Sequence, residues 1–228
     1  MRLDRFLAEN NLGTRSNLKK DIKNGLVKVN GETIFDVHAH INEEEDIVSY
    51  DGFEITYQKY TYWMINKPKG TVCTSVGEDS ILNYIPQLQR GYFCSGRLDK
   101  DTEGLLFIMN DGSLSHSLLS PKNHIEKEYY VELEKPISDE DIKRLEKGIT
   151  TKHGTTFMPA KIIKKEDKVV HIIVEEGKFH EIKRLFQACD NEVTYLKRLR
   201  IKNIWLDENL KPGEARLLTE EEIMDLKK

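Results

Sequence analysis

An aspartate at the start of an acidic, glycine-terminated turn is the strongest chemical signal in this sequence. Asp99 stands in the segment 96–105, GRLDKDTEGL, which runs into the apolar stretch 105–109. Such a stretch predicts a buried strand, and side chains on a loop braced by strands are held firmly enough to act on a substrate. We therefore take Asp99 as the candidate catalytic group, a carboxylate that can act as a nucleophile or as a general base.

The segment GRLDKDTEGLL resembles the signature of the ribosomal small-subunit (RsuA-like) family of pseudouridine synthases, in which the aspartate of the RLD triplet is catalytic. Three further blocks match the same family in order and spacing: 62–70, 120–129 and 176–186. The resemblance covers most of the chain and implies an enzyme that isomerises a uridine of 16S ribosomal RNA to pseudouridine. Asn66, Lys67 and Lys69 are expected to support the catalytic loop rather than react.

Isomerisation of uridine to pseudouridine requires the enzyme to break the bond between base and ribose, rotate the base and re-attach it through carbon 5, which then loses its proton. The reaction involves no net oxidation or reduction, so we expect no cofactor and no metal ion. The resemblance implies that an ionised Asp99 attacks the ribose, attacks the base or removes a ribose proton. The sequence leaves these routes open.

A carboxylate in a partly dry pocket needs a nearby cation, because burial otherwise favours its neutral form. The resemblance to the family's third motif implies that Lys183 supplies this charge. Arg184 follows directly and would point about 100° away around a helix, so only one of the two can face Asp99. We favour Lys183 for this pairing and a phosphate contact for Arg184, although the sequence does not decide between them.

Two further residues are expected around the target nucleotide. Tyr129 matches the family tyrosine that lies against the base, where stacking on a base turned out of the RNA contributes roughly 1–3 kcal/mol. Its hydroxyl could also help to remove the proton at carbon 5. The neighbouring Tyr130 would face the opposite side of a strand and join the core. Arg97 would share a strand face with Asp99 and brace the displaced nucleotide or a phosphate, unless it pairs with a nearby carboxylate.

The distribution of charge favours a nucleic-acid partner more than the net charge of −4 does. Residues 1–28 contain seven basic and three acidic side chains, and residues 178–202 again contain seven basic and three acidic ones. Acidic side chains concentrate elsewhere, in the run 43–46 and near the C-terminus. Such segregation suits a protein with one basic face, although solvated helix surfaces would give the same pattern.

The N-terminal segment resembles the RNA-binding domain named after the fourth small-subunit ribosomal protein. Apolar spacing predicts two short helices, followed by hairpins at Asn30-Gly31 and Asp51-Gly52. We place this domain at 1–56, with a boundary near 56–60. By the resemblance, five residues would face the RNA backbone: Arg15, Ser16, Lys19, Lys20 and Lys23. The alternative is a helical cap with ordinary surface lysines.

The remaining residues, 61–228, are assigned to a catalytic domain in which strands and helices mix without a regular βαβ alternation. Predicted strands cover 63–66, 92–94, 105–109, 129–133, 169–174 and 193–199. Predicted helices cover 113–119, 138–147 and 180–189. The fold class is therefore α+β: a small N-terminal α/β RNA-binding domain, and a larger pseudouridine synthase domain on a mixed, largely antiparallel sheet.

Other patterns narrow the location and the assembly. The three cysteines are widely spaced and lack metal-ligand spacing, so we interpret them as buried thiols. No apolar run approaches the roughly 18 residues of a membrane span, and the first residues do not resemble a secretory signal. We expect a cytoplasmic monomer that does not bind membranes.

Three alternatives remain at this stage. Asp99, Asp101 and Glu103 alternate, so on a strand they could hold a magnesium ion for phosphoryl transfer. The protein could instead bind RNA or assist ribosome assembly without catalysis. Finally, 23S ribosomal RNA could be the substrate, because Glu128 and Glu181 place negative charge beside the matched motif residues and leave the choice of target open.

Overall fold

The structure is a computed structural model that describes residues 1–10, 12–43, 45–55, 59–86, 88, 91–152 and 154–228. The chain forms two compact units, Met1–Tyr60 and Thr61–Lys228. Of the boundary segment 56–60 expected from the sequence, 56–58 lie outside the described residues, as does Glu44 of the acidic run. The two units are described separately below.

The first unit combines two helices with a small antiparallel sheet. Helices α1 (Leu3–Glu9) and α2 (Arg15–Lys23) precede four strands: β1 (Val27–Val29), β2 (Glu32–Thr33), β3 (Val48–Tyr50) and β4 (Phe53–Ile55). The strands lie in the order β2-β1-β3-β4. Asn30 and Gly31 have φ values of 51° and 84°, the left-handed pair that a two-residue hairpin requires. Both predicted hairpins are confirmed.

The helices of this unit pack on the sheet through their apolar faces. Leu3, Phe6 and Leu7 of α1 are buried together with Leu18 and Ile22 of α2. Because these positions recur at helical spacing, the opposite face of each helix is left to polar residues. Thr14 caps α2, since its hydroxyl oxygen accepts a hydrogen bond from the Asn17 N–H at 3.3 Å.

The second unit is built on a nine-stranded sheet. Its central elements are β5 (Tyr62–Lys67), β6 (Phe93–Ser95), β7 (Glu103–Met109), α3 (Gly112–Leu119), β8 (Lys127–Leu133) and α4 (Asp139–Glu146). After α4 come β9 (Ile149–Thr150), β10 (Thr156–Phe157), β11 (Lys161–Glu166), β12 (Val169–Val174) and α5 (Glu181–Gln187). The chain ends with β13 (Val193–Ile201), β14 (Ile204–Trp205), β15 (Ala215–Leu217) and α6 (Glu220–Lys227).

The sheet order is β11-β12-β8-β13-β7-β5-β15, with β14 beside β13 and β6 beside β7. Within the described residues, β13 and β7 form the one parallel pair of this sheet, and the other pairs are antiparallel. The predicted mixed, largely antiparallel sheet is therefore confirmed. Helix α5 buries Leu185 and Phe186 against sheet residues such as Val170 and Leu196, which fixes the orientation of its polar face.

The structure differs from the sequence predictions in several places. Strand β11 was not predicted because most of its side chains are exposed and charged, which hides the alternation of a half-buried strand. The acidic C-terminal run forms helix α6, opened by a capping box at Thr219. The segment that carries Arg97 and Asp99 is a loop, so the two share no strand face. The three cysteines are half-buried rather than buried.

Among the described residues, no helix is both long enough and apolar enough to cross a bilayer.

Candidate active site

The loop that carries Asp99 joins β6 to β7, and a buried lysine forms a hydrogen bond to its backbone. Lys67, at the end of β5, is fully buried, and its Nζ donates hydrogen bonds to the carbonyl oxygens of Thr102 at 2.8 Å and Pro68 at 3.2 Å. Burial lowers the pKa of the Lys67 ammonium, against the opposing attraction of nearby acidic groups. This is the supporting role expected for Lys67.

Backbone contacts hold the same loop in place. The Gly70 N–H donates to the carbonyl of Lys100 at 2.7 Å, and the Leu98 N–H donates to Cys73 Sγ at 3.3 Å. The Thr102 N–H donates a hydrogen bond to the carbonyl of Asp99 at 3.1 Å, which closes the turn. The Asp99 side chain is therefore presented from a loop with little freedom to move, as catalytic groups require.

Two basic side chains surround the Asp99 carboxylate. Lys183 Nζ lies 3.0 Å from Asp99 Oδ2 and 2.6 Å from Asp101 Oδ1. His180 Nε2 lies 3.4 Å from Asp99 Oδ1. The Asp99 and Lys183 side chains are 26% and 27% exposed, so a substrate can reach the pair. The predicted cationic companion of Asp99 is therefore present.

The charges of this cluster reinforce one another. Burial alone would lower the pKa of Lys183, but hydrogen bonds to Asp101 and Asp99 outweigh it and raise that pKa above its usual value. The hydrogen bond from Lys183 lowers the pKa of the Asp101 carboxyl. Lys183 therefore stays protonated, and Asp101 stays ionised, at physiological pH.

Arg184 points away from this cluster, as the helical geometry of α5 requires. Its Nη2 donates to Thr155 Oγ1 at 2.7 Å, and its guanidinium lies 5.1 Å from the centre of the Phe157 ring. Of the two candidates, the structure thus places Lys183 against Asp99. The phosphate contact suggested for Arg184 stays a prediction.

Asp99 lies in a cleft of about 430 Å³. The residues that line it include four of the predicted site residues: Arg97, Asp99, Tyr129 and Lys183. Arg97 is exposed, whereas the Tyr129 residue is only 9% exposed and forms part of the adjacent core. Although Arg97 and Asp99 do not share a strand, the loop brings both to the same cleft.

The two neighbouring tyrosines of β8 face opposite sides of the sheet, as expected. Tyr129 lines the cleft, and Arg198 Nη1 lies 3.5 Å from its hydroxyl. Tyr130 packs edge-on against His171 and Tyr195, and its hydroxyl donates to Glu132 Oε1 at 3.0 Å. Tyr130 is half-buried, so its assignment to the core is wrong.

Several cleft residues were missed by the sequence analysis. Arg198 is 3% exposed and donates from Nε to the carbonyl of Leu105 at 2.7 Å. Its Nη2 and the Thr102 hydroxyl oxygen have no hydrogen-bond partner within the described residues. Arg198 faces Tyr129 directly across the β8–β13 pair. Only the register of that pair identifies Arg198 as a site residue, and register is not visible in a single strand's sequence.

Two oppositely charged residues also form part of the cleft wall: Lys127, which the sequence analysis did not single out, and Glu181, which it noted only as a negative charge beside the motif. Burial lowers the pKa of Lys127 to about 8 and raises the pKa of Glu181 to about 7. Both line the cleft and are less than a tenth exposed. Glu128, by contrast, accepts a hydrogen bond from Arg200 Nε at 3.0 Å, so the Arg200 guanidinium balances its charge; His171 Nδ1 lies 3.3 Å from the same carboxylate.

The alternative magnesium site is not formed by the alternating carboxylates. Glu103 accepts a hydrogen bond from the Tyr195 hydroxyl at 2.7 Å, whereas Asp99 and Asp101 share Lys183. The three carboxylates do not converge, because the first two lie in a turn and the third in a strand. In the part of the chain that the structure describes, no three histidine, cysteine or acidic side chains group as metal ligands.

The five residues predicted to face RNA lie along one side of α2. Their spacing places them within about 140° around the helix axis, in a sector that contains neither of the buried residues Leu18 and Ile22. Four are exposed, and Lys19 is half-buried, with its Nζ 4.0 Å from Asp4 Oδ2. The unit therefore presents a basic, exposed helix face.

Comparison with known proteins identifies both units. The sequence model of RNA pseudouridylate synthases matches residues 61–188, and that of the S4 domain matches residues 1–47. An uncharacterized RNA pseudouridine synthase of Bacillus subtilis is 42% identical over 98% of this chain and 97% of its own length. Ribosomal small subunit pseudouridine synthase A of Haemophilus influenzae is 38% identical over 100% of both chains. A crystal structure of a pseudouridylate synthase aligns with a TM-score of 0.70 and 37% identity, covering 99% of each chain.

Proposed function

The chain belongs to the RNA pseudouridine synthase family, and from this premise we propose that it converts one uridine of 16S ribosomal RNA to pseudouridine. The choice of RNA is supported by the full-length likeness to the small-subunit enzyme of Haemophilus influenzae, which includes both units. The observation that carries the proposal is the contact between Asp99 and Lys183 in an open cleft lined by Tyr129.

Asp99 is the proposed catalytic residue. Each of the three possible routes, attack on the ribose, attack on the base or removal of a ribose proton, uses the ionised carboxylate. Lys183 is proposed to hold this carboxylate in place, since its Nζ lies 3.0 Å from Asp99 Oδ2. The same ammonium also holds Asp101, which keeps Lys183 in place when substrate enters.

Tyr129 is proposed to lie against the target base. Its ring lines the cleft that contains Asp99, and its buried position suits a base that has left the RNA stack. The hydroxyl is proposed to assist removal of the proton from carbon 5. Arg97, exposed on the same loop as Asp99, is proposed to bind a phosphate or the displaced nucleotide at the entrance.

The N-terminal unit is proposed to dock the RNA and the larger unit to carry out the chemistry, with domains at 1–56 and 61–228. The exposed basic face of α2 is suited to the phosphate backbone, which needs positive charge and no base-specific contact. The proposed residues on this face are Arg15, Ser16, Lys19, Lys20 and Lys23.

Mapping of pseudouridine in unmodified ribosomal RNA tests this proposal. Purified enzyme is incubated with 16S and 23S transcripts, with and without EDTA, and modified positions are located by chemical labelling. We expect a single new pseudouridine in the 16S transcript, unaffected by EDTA because no step requires a metal ion. A product confined to 23S RNA would refute the proposed target, and loss of activity in EDTA would refute the metal-free chemistry.

A further inference from the structure

An exposed aromatic residue, Phe179, stands in the sequence between two residues that line the cleft, Lys178 and His180, and has no role in the chemistry above. The Phe179 residue is 72% exposed, the third most exposed large hydrophobic residue among those described. Its ring stacks on His180, with ring centroids 3.7 Å apart and an interplanar angle of 22°. One face of the phenyl ring is thus supported by an imidazole, while most of the ring remains open to solvent.

The stack connects directly to the proposed catalytic group. His180 lines the cleft, and its Nε2 lies 3.4 Å from Asp99 Oδ1. Phe179 is therefore separated from Asp99 by one side chain. Lys183 and Arg97 line the same cleft as His180. An RNA nucleotide that reached Asp99 would therefore lie one side chain away from the phenyl ring.

When a base leaves a stacked RNA strand, its neighbouring bases lose a stacking partner that the protein can replace. When the target nucleotide turns into the cleft, the bases on either side of it lose a stacking partner. An aromatic side chain can replace that partner for any base, because every base has a flat face, and its contribution is typically measurable by substitution. A phenyl ring supported on one side is well suited to this role.

We propose that the Phe179 ring, supported by His180, stacks on the unpaired base next to the target uridine. This assignment rests on the proposed function, since it requires an RNA strand with its target nucleotide at Asp99. Isolated exposed hydrophobic residues are common on protein surfaces. The ordered imidazole beneath this ring and its position beside the cleft set Phe179 apart from them.

Binding of a fluorescent RNA tests the assignment. The probe is an oligonucleotide with a single uridine, flanked on each side by 2-aminopurine in an otherwise cytidine sequence. All variants also carry Asp99→Asn, which prevents turnover. Phe179→Leu removes the aromatic face, and Phe179→Trp retains it. The matched control is Leu217→Ala, an exposed apolar residue on β15 at the far end of the sheet order.

We expect Phe179→Leu to weaken RNA binding about 5- to 20-fold and to raise the fluorescence of the bound 2-aminopurine, because its quenching partner is lost. Phe179→Trp should restore both values, and Leu217→Ala should change neither. Replacement of the flanking bases by abasic sites should weaken binding to the Phe179 protein and have little further effect on the leucine variant. Equal effects of the abasic sites on both proteins would overturn the proposal.

The parallel assay for pseudouridine in 16S RNA separates this inference from the function on which it rests. A protein with native Asp99 and Phe179 that forms no pseudouridine would overturn the proposed function. If the native protein forms pseudouridine, but the Phe179→Leu variant binds the probe with unchanged affinity and unchanged 2-aminopurine fluorescence, the stacking proposal alone is overturned.

Discussion

At the scale of single residues, Lys183 is the side chain that joins the two carboxylates of the proposed site, Asp99 and Asp101. Its ammonium contacts two carboxylates, and the side chain is about a quarter exposed, so solvent screens part of the attraction. This arrangement keeps the pair accessible to substrate while the ion pair holds the Asp99 side chain in place. A fully buried pair would have carried a far larger desolvation penalty.

Replacement of Lys183 by Met should reduce kcat/KM about 10- to 100-fold, because Asp99 and Asp101 would then face each other without a balancing cation. Lys183→Arg should recover part of this loss, since it keeps the charge but not the compact geometry. Steady-state kinetics on the 16S transcript measure both. The matched control is Arg184→Met, which removes one positive charge from the next residue, whose guanidinium binds Thr155 rather than Asp99. Equal losses in the two methionine variants would contradict the assignment.

The pKa shifts of Glu181 and Lys127 predict how stability depends on pH. Burial raises the pKa of Glu181 from 4.5 to about 7, so the folded protein holds this proton more tightly than the unfolded chain does. Stability is therefore lost as the pH rises from about 4.5 to about 7. Lys127 behaves oppositely. Its pKa falls from 10.5 to about 8, so stability is regained as the pH rises above about 8.

Glu181→Gln should remove the lower part of this pH dependence. The shift of the Glu181 pKa corresponds to about 3 kcal/mol at most, and the lost attraction to Lys127 reduces the gain. At pH 8 the variant should therefore be more stable than the native protein by about 1–2 kcal/mol, and at pH 4.5 nearly equal. Urea unfolding across this range measures the difference. A constant difference at every pH would show that Glu181 does not titrate as described.

At the scale of secondary-structure elements, the parallel pairing of β7 with β13 places the end of the Asp99 loop beside Arg198, which lines the cleft. Strand β7 leaves the loop beside β13, with Gly104 opposite Arg198. Gly104 has a φ of 104°, and a Cβ built there would lie 2.7 Å from the Arg198 backbone nitrogen and closer still to its carbonyl oxygen. Close backbone approach and backbone conformation both require glycine here.

Gly104→Ala should therefore destabilise the protein by about 3–5 kcal/mol, through steric overlap and an unfavourable φ. Gly112→Ala is the matched control, because a Cβ there meets nothing within 4 Å and the residue lies at the start of α3. Its effect should stay within about 1 kcal/mol. Denaturant unfolding of both variants provides the comparison. A loss below 1 kcal/mol for Gly104→Ala would mean that the two strands can separate at low cost.

Elements with a strong local signal could be predicted from the sequence, whereas contacts across the sheet could not. Thr14 and the hairpin at Asn30-Gly31 identify their elements because caps and tight turns need particular residues. Strand β11 carries no such signal. Arg198 and His180 approach the site only through the strand pairing and the packing of α5, which depend on the whole sheet.

At the scale of the whole molecule, charge is divided between segments despite the acidic total. The net charge of −4 would repel RNA as an average, yet α2 and the segment around α5 and β13 are rich in lysine and arginine. A local surplus of positive charge matters more for nucleic-acid binding than the net charge does, because salt screens the attraction between charges beyond about 10 Å. Composition alone would have pointed to the wrong class of partner.

Charge reversal on α2 tests the proposed docking role of the first unit. Lys20→Glu combined with Lys23→Glu should weaken binding of 16S RNA and lower the slope of log affinity against log salt by about 1.4–1.8, since each lost phosphate contact removes about 0.7–0.9. Both residues are exposed, so folding should be unaffected. The control is Lys164→Glu with Lys168→Glu, exposed positions on and beside β11. If both pairs change the slope equally, α2 is not the docking surface.

The most direct measurement of the central claim is single-turnover formation of pseudouridine by the native protein and by Asp99→Asn, with RNA affinity measured on the same samples. Asparagine keeps the size of the side chain but cannot act as a nucleophile or as a base at this position. We predict that RNA affinity changes by less than about threefold while pseudouridine formation falls below detection. Measurable turnover by Asp99→Asn at a rate near that of the native protein would contradict the account.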